Sequence, residues 1–104
     1  MLAGMDVNDP ACLKLSVLRA MLGEVSGNLA ALTAGSEGRR VRLVAYFFEE
    51  PTEDDRESVS CMATNVIADF PDGFDVETGC HVLDDGAPEM ADFWAFVRAG
   101  VRVS

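Results

Sequence analysis

The residue types that perform catalysis are scarce in this chain and poorly spaced for it. His81 is the only histidine, and it directly follows Cys80. Adjacent residues of a strand point to opposite faces, so this pair does not readily form the thiolate–imidazole contact of about 3 Å that nucleophilic catalysis requires. Cys12 and Cys61 lie near apolar helix faces, where cysteine usually behaves as a small hydrophobic residue. Because nucleophile-elbow, phosphate-loop, dinucleotide and zinc-protease motifs are also absent, the sequence predicts that the protein is not an enzyme.

Acidic side chains are the most abundant charged groups in the sequence. Eighteen aspartates and glutamates stand against eight lysines and arginines, which gives a formal net charge of −10. Residues 49–92 contain fourteen of these acids and one base, a formal charge of −13, whereas the rest of the chain carries +3. Such a field repels nucleic acid and anionic membranes and speeds the encounter with a cationic surface. The alternative is that the acids only keep the protein in solution.

Runs of acids can also bind a divalent cation, and the chain has two candidates, Glu53-Asp54-Asp55 and Asp84-Asp85. Calcium loops alternate their oxygen ligands and add a glycine and a distal glutamate, and neither run has this spacing. We therefore predict a solvated acidic face with no metal ion and no other cofactor.

Length and composition indicate a single α/β domain over residues 1–104, with residues 1–8 disordered. With 49% hydrophobic residues, the chain has enough apolar material for a core. The three cysteines are an odd number without C-x-x-C spacing, which favours a reducing compartment. The apolar start is short and is followed by acids, and no apolar run approaches the roughly 20 residues of a membrane helix. We expect a cytoplasmic protein that does not bind membranes.

Two helices are predicted from apolar residues at helical spacing. The first spans residues 10–24, capped by Asp9, and its core-facing residues are Leu13, Val17, Leu18, Met21 and Leu22. The second begins after Thr52, with Asp55 in the position of a capping-box acid. Its core-facing stripe comprises Val59, Met62, Ala63, Val66, Ile67 and Phe70, and residues 69–73 end it.

Strands account for most of the remaining chain. Residues 28–34 and 39–48 form a hairpin around the turn 35–38, and residues 74–82 alternate as a half-buried strand does. Residues 84–88 form a loop. Residues 97–103 alternate and favour a C-terminal strand, although residues 92–97 are equally compatible with a helical turn. The predicted fold is an α+β two-layer sandwich in the order α-β-β-α-β with this final strand, in which a mainly antiparallel sheet carries two helices on one face.

Carboxylates held on rigid elements can imitate a phosphate backbone and cover the cationic cleft of a nuclease. Acids of the second helix, the third strand and the adjoining loops are candidates for such a surface. A few buried aromatic contacts usually dominate binding energy, and the candidate anchors are Tyr46, Phe48, Phe74 and Trp94. The predicted partner-binding residues are Tyr46, Phe48, Glu49, Glu50, Glu53, Asp54, Asp55, Glu57, Asp72, Asp75, Glu77, Asp84 and Asp85.

Two stretches of the sequence carry a family resemblance. Residues 18–29, LRAMLGEVSGNL, join the first helix to the first strand, and residues 64–71, TNVIADFP, end the helix that opens at residues 52–55, TEDD. They are similar to immunity proteins of bacterial contact-dependent growth inhibition systems, over about residues 12–83. The resemblance implies a cytosolic antidote that blocks the C-terminal toxin domain, commonly a nuclease, of a surface-delivered protein. Immunity residues of that family vary with the toxin, so no binding residue carries over, and residues 90–97 depart from the more basic, aromatic ending that it leads us to expect.

Three functional interpretations follow. The preferred hypothesis is an immunity protein that neutralises a basic toxin domain, such as an RNase or DNase, by occluding its active site. The second is a small acidic chaperone-like adaptor for a secreted effector, which would form a homodimer through Val44, Tyr46 and Phe48. The third is a small enzyme that uses Cys80 or paired acids. The sequence leaves open the identity of the toxin, the interface and the stoichiometry.

Overall fold

A four-stranded mixed sheet with two helices forms the domain. A computed structural model describes residues 10–83 and 90–101. Its elements are α1 (Pro10–Ala20), β1 (Leu29–Glu37), β2 (Arg40–Phe47), α2 (Glu53–Ile67), β3 (Asp75–Val82) and β4 (Phe93–Val97). The strand order is β3-β2-β1-β4; β1 pairs antiparallel with β2 and β4, and β2 pairs parallel with β3. The predicted α+β fold, including a last strand, is confirmed. The predictions for residues 1–8, the Asp9 cap and the loop 84–88 lie outside the described residues.

The second helix follows its sequence signals closely. Thr52 is the cap residue: its hydroxyl accepts from the Asp55 backbone N–H at 3.1 Å, and the Asp55 carboxylate accepts from the Thr52 N–H at 3.0 Å. The predicted capping box is therefore present. The buried stripe is also confirmed, and its members are Val59, Met62, Ala63, Val66 and Phe70, with Ile67 partly buried.

The first helix differs from the prediction in length and in orientation. It ends at Ala20, and residues 21–24 form turns in which Gly23 has a φ of +81°. Leu18 is 47% exposed and Leu22 80% exposed, so their assignment to the core is wrong. The face that packs inward includes small residues, and Ser16 donates to the carboxylate of Asp69, just after α2, at 2.8 Å. The buried residues of α1 are Cys12, Leu13, Ser16, Val17 and Ala20.

The hairpin turn is shorter than predicted and begins three residues later. Glu37 pairs with Arg40, so the connection is the two-residue loop Gly38-Arg39 rather than residues 35–38. Gly38 has a φ of +61° while Arg39 keeps a negative φ, an arrangement typical of a type II′ turn. Gly35 lies inside β1, where Asp92 packs against it: a Cβ there would lie 2.8 Å from Asp92 Cγ and 2.9 Å from its backbone nitrogen.

The last strand precedes the alternating stretch that predicted it. β4 covers residues 93–97, so the expected strand over 97–103 is wrong for residues 98–101, and residues 102–104 lie outside the described residues. The backbone turns at Gly100, which has a φ of +90°. Arg98 fixes the end of β4, because its side chain donates to the carbonyls of Leu29 and Ser26, both at 2.9 Å.

The two helices cover one face of the sheet, and no helix of the described residues lies on the other face. On the covered face, β2 contributes Val41, Leu43, Ala45 and Phe47, all at most 1% exposed. The opposite side, here called the open face, carries Arg40, Arg42, Val44 and Tyr46 of β2, as strand alternation predicts. Because β2 and β3 are in register, Glu77 and His81 lie beside Arg42 and Tyr46 on the open face.

Candidate partner-binding surface

Five predicted interface acids meet at the start of α2. These residues, here called the α2 acid group, are all exposed and comprise Glu49, Glu50, Glu53, Asp54 and Glu57. Glu53 and Asp54 lie in the first turn of the helix, where the partial positive charge of the helix N-terminus stabilises carboxylates. A single base, Arg56, stands among them, and its guanidinium approaches Glu50 at 3.6 Å. The group therefore presents a concentrated negative charge to solvent.

Asp55 lies within the same turn but points the other way. It is 7% exposed, and its Oδ2 accepts from the Thr52 N–H and from the Asn28 side-chain amide, both at 3.0 Å. These hydrogen bonds, the one from Asn28 above all, hold the pKa of Asp55 below its ordinary value of 3.8. Asn28 also exchanges two hydrogen bonds with the backbone of Glu49, at 2.9 and 3.1 Å. Asp55 thus fixes the geometry of the turn, and we leave it out of the candidate surface.

A second set of predicted acids lies at the far end of the strands. Asp75 pairs with Arg40 at the start of β2, whereas Glu49 follows the end of β2. The seven residue steps of β2 correspond to about 23 Å at the usual rise per strand residue. Asp72 and Asp75 are exposed, and Glu77 approaches Arg40 and Arg42 at 3.5 Å each. The structure therefore separates the two sets, and Asp84 and Asp85 lie outside the described residues.

The four candidate aromatic anchors also separate. Phe48 is 43% exposed and directly precedes the α2 acid group. Phe74 packs on Phe70, with 5.2 Å between ring centroids, against the core. Tyr46 lies on the open face, where the centroid of its ring is 5.6 Å from that of His81 and 6.1 Å from that of Trp94. Of these four aromatic residues, Phe48 is the one beside the concentrated negative charge.

The chain itself covers part of the open face. The Ala91 N–H donates to the Thr33 hydroxyl at 2.8 Å, and that hydroxyl donates to the Phe93 carbonyl at 2.8 Å. Met90 and Ala91 help to enclose a cavity of about 140 Å³ beside Val44, which is only 8% exposed. Val44 is therefore not available to a partner in the way that the predicted Val44–Tyr46–Phe48 face requires.

The sequence was compared with models of known protein families. The family model of the MafI2 immunity protein matches residues 10–100, which include both helices and all four strands. The chain belongs to the MafI2 immunity protein family. No curated protein shows a significant match to it. The resemblance to toxin–immunity proteins is confirmed at this level, and membership of the MafI2 family indicates a role in neutralising a toxin.

The catalytic candidates are arranged in this MafI2 family member as strand alternation predicts. Cys80 is half-buried on the helix side of β3, and burial raises the pKa of its thiol, which disfavours the reactive thiolate. His81 is exposed on the opposite face against Tyr46. Within residues 10–83 and 90–101, no three His, Cys, Asp or Glu side chains cluster closely enough to hold a metal ion. Neither α1 nor α2 is long and apolar enough to cross a membrane.

The sequence interpretation missed one exposed feature of the MafI2 fold. Leu15, Leu18 and Leu22 are 43%, 47% and 80% exposed. Their spacing of i, i+3 and i+7 places them on one side of α1 and of the turn that continues it. The signal was present in the sequence, because α1 has apolar residues at more positions than one buried face needs. Periodicity alone does not tell which of two apolar faces meets the core.

Proposed function

We propose that this protein binds the cognate toxin domain of a contact-dependent growth inhibition system in the cytoplasm and neutralises it by covering a cationic active site, such as that of a nuclease. The observation that carries the proposal is the α2 acid group, presented by a member of an immunity protein family. A nuclease must hold the phosphate backbone with cations, and the same cations attract a rigid set of carboxylates.

The geometry of α2 supports this role because it fixes the acids before binding. The capping box and the Asn28 amide link Glu49, Thr52 and Asp55 by hydrogen bonds. A surface that is already ordered loses less conformational entropy on association. Phe48, exposed at the edge of the group, supplies apolar contact area of the kind that anchors protein interfaces. The acids then act mainly on the rate of encounter and on specificity, and Phe48 on the lifetime of the complex.

The test uses charge reversal at two ends of the sheet. In one variant Glu53, Asp54 and Glu57 become lysine. In the control variant, Glu37, Asp72 and Asp75 become lysine, an identical charge change at exposed positions near the opposite end of the strands. Binding to a catalytically inactive form of the toxin domain encoded in the neighbouring open reading frame is followed by biolayer interferometry at low and physiological salt.

We expect the association rate of the α2 variant to fall by about 10- to 100-fold at low salt, because steering by complementary charge contributes factors of this size. The association rate of the control variant should fall much less. Nuclease assays with active toxin should then show that the α2 variant no longer protects RNA or DNA. If the association rate falls equally in both variants, the effect comes from net charge alone and not from the α2 acid group. Unchanged binding of the α2 variant would contradict the charge mechanism.

The chaperone-like alternative makes a different prediction for the free protein. It requires a stable homodimer through Val44, Tyr46 and Phe48, and light scattering of the isolated protein measures this directly. Met90 and Ala91 cover Val44, which is already buried within the chain. The apolar area available for such a dimer is therefore smaller. Stable dimerisation together with no affinity for the toxin would favour the adaptor over the antidote.

A further inference from the structure

The outward side of α1 carries an apolar ridge that the rest of the described chain leaves exposed. This leucine stripe consists of Leu15, Leu18 and Leu22. The opposite side of α1 is the one buried on the sheet and α2, through residues such as Leu13 and Val17. A helix that is apolar on both sides is normally buried on both sides. The leucine stripe therefore has the composition of a contact surface.

The exposed apolar residues of the described chain are not spread evenly. Seven large hydrophobic side chains are exposed among residues 10–83 and 90–101, and four of them fall within residues 15–25. The fourth is Val25, in the segment between α1 and β1, at 38% exposure. Single exposed apolar residues are ordinary, whereas a contiguous group marks an interaction site in most soluble proteins.

The leucine stripe continues into a groove that ends at acids. The segment from α1 to β1 runs antiparallel along α2, as Ser16 contacts Val66 and Asp69 while Asn28 contacts Asp55. Two adjoining cavities of about 360 and 350 Å³ lie along this path and share Asn65. The residues that line the first cavity are Ser16, Arg19, Ala20, Leu22, Asn65, Ala68 and Asp69. Those that line the second are Glu24, Glu57, Ser60, Cys61, Thr64 and Asn65.

Building on the proposed function, we infer that the leucine stripe is the apolar centre of the toxin-binding surface and that the groove carries the contact on to the α2 acid group. The toxin surface that fits is apolar where it meets Leu18 and Leu22 and basic where it meets Glu24 and Glu57. This combination of an apolar centre and a charged rim is the usual composition of a specific protein interface. It also supplies the apolar burial that an acidic surface by itself lacks.

Charge and size favour the toxin over a second copy of the chain. Three leucines and a valine alone cover far less than the roughly 800 Å² per partner of a standard interface, so a stable contact must extend onto the neighbouring α2 face. That face carries Glu53, Asp54 and Glu57, and a second copy would bring the same acids to the contact. A chain with a formal charge of −10 opposes such self-association, whereas a basic toxin is attracted by it.

The test replaces two of the three stripe leucines without changing the charge of the protein. Glutamine is close to leucine in helix propensity, so the variant Leu18→Gln/Leu22→Gln removes apolar surface from positions that are already exposed. The control is Met90→Gln/Val97→Thr, which removes apolar surface at 47% and 38% exposed positions outside the leucine stripe. Circular dichroism melting checks that both variants fold, and binding to the inactive toxin domain is measured as above.

We expect the dissociation constant of the leucine variant to rise by about tenfold or more, through a faster dissociation rate that changes little with salt. The control should bind as the wild type does. If the wild type binds the toxin and the leucine variant binds equally well, the inference is wrong while the proposed function stands. If the wild type does not bind the toxin, the proposed function itself fails. A wild-type dimer that the leucine substitutions convert to a monomer, with toxin binding unchanged, would assign the stripe to a second copy and overturn the inference.

Discussion

Replacing Asp55 should lower the stability of the fold far more than replacing the acid beside it. The Asp55→Ala variant loses the hydrogen bonds from the Thr52 N–H and the Asn28 amide and leaves both donors in a partly buried site. Asp54, one residue earlier, is exposed and belongs to the same helical turn. Asp54→Ala therefore controls for the loss of one carboxylate near the helix N-terminus.

The size of the effect follows from the contacts. Hydrogen bonds to a charged group contribute about 1.5–3 kcal/mol, and disruption of a helix cap costs about 1 kcal/mol. Since both effects share one carboxylate, we expect Asp55→Ala to reduce the free energy of unfolding by about 2–4 kcal/mol. For a domain of this length, that loss corresponds to a melting temperature lower by roughly 10–20 °C. Asp54→Ala should cost a few tenths of a kcal/mol.

The dependence on pH provides a second measurement of the same contact. The pKa of Asp55 is lowered in the folded state, so its charge stabilises the fold above about pH 3.8 and this contribution is lost as the pH falls through the folded-state pKa. Urea denaturation of the wild type and of Asp55→Asn, followed by circular dichroism, should show a full stability difference at pH 6. The difference should narrow once the pH falls below about 3.8.

Two results would refute this account of Asp55. A loss of stability no larger than that of Asp54→Ala would mean that the buried carboxylate does not hold the cap. A stability difference between wild type and Asp55→Asn that stays constant down to pH 2 would mean that the charge of Asp55 is not what the Asn28 and Thr52 donors stabilise.

Two further predictions concern the sheet and the thiols. Gly35→Ala should reduce the free energy of unfolding by about 1–3 kcal/mol, measured by urea denaturation, because the new Cβ would lie 2.8 Å from Asp92 Cγ; equal stability of the two proteins would show that Asp92 moves aside freely. In thiol labelling of the folded protein at neutral pH, exposed Cys61 should react first and buried Cys12 last. Cys80 should react more slowly than Cys61, because burial raises the pKa of the Cys80 thiol. Faster labelling of Cys80 than of Cys61 would contradict the structure.

Local signals in the sequence were sufficient for α2 but not for the sheet. The Thr52–Asp55 pair and the apolar stripe act within one helix, so both could be predicted from neighbouring residues. The parallel pairing of β2 with β3 and the place of β4 beside β1 depend on contacts between residues far apart in the chain. The turn at Gly38-Arg39 leaves Gly35 within β1, where Asp92 packs on it, and this contact between residues far apart in the chain was not predicted.

The candidate surface was predicted in composition but not in arrangement. Residue counts located the negative charge, and the α2 acid group is exposed as the prediction requires. Sequence alone did not separate Asp55 from Asp54 as a surface residue, although the capping motif pointed to its second role. It also did not show that Asp75 lies at the opposite end of the strands from Glu49, because that distance follows from the register between β2 and β3.

The pairing of β4, an edge strand, with the interior strand β1 has a consequence for folding during synthesis. β1 emerges from the ribosome early, yet one of its two edges is paired only by a strand about 60 residues later. At about 5–20 residues per second, several seconds separate the synthesis of the two strands. During this interval the backbone groups along one side of β1 remain open to other chains, a known route to aggregation. Docking of β4 therefore completes the sheet and covers this edge of β1.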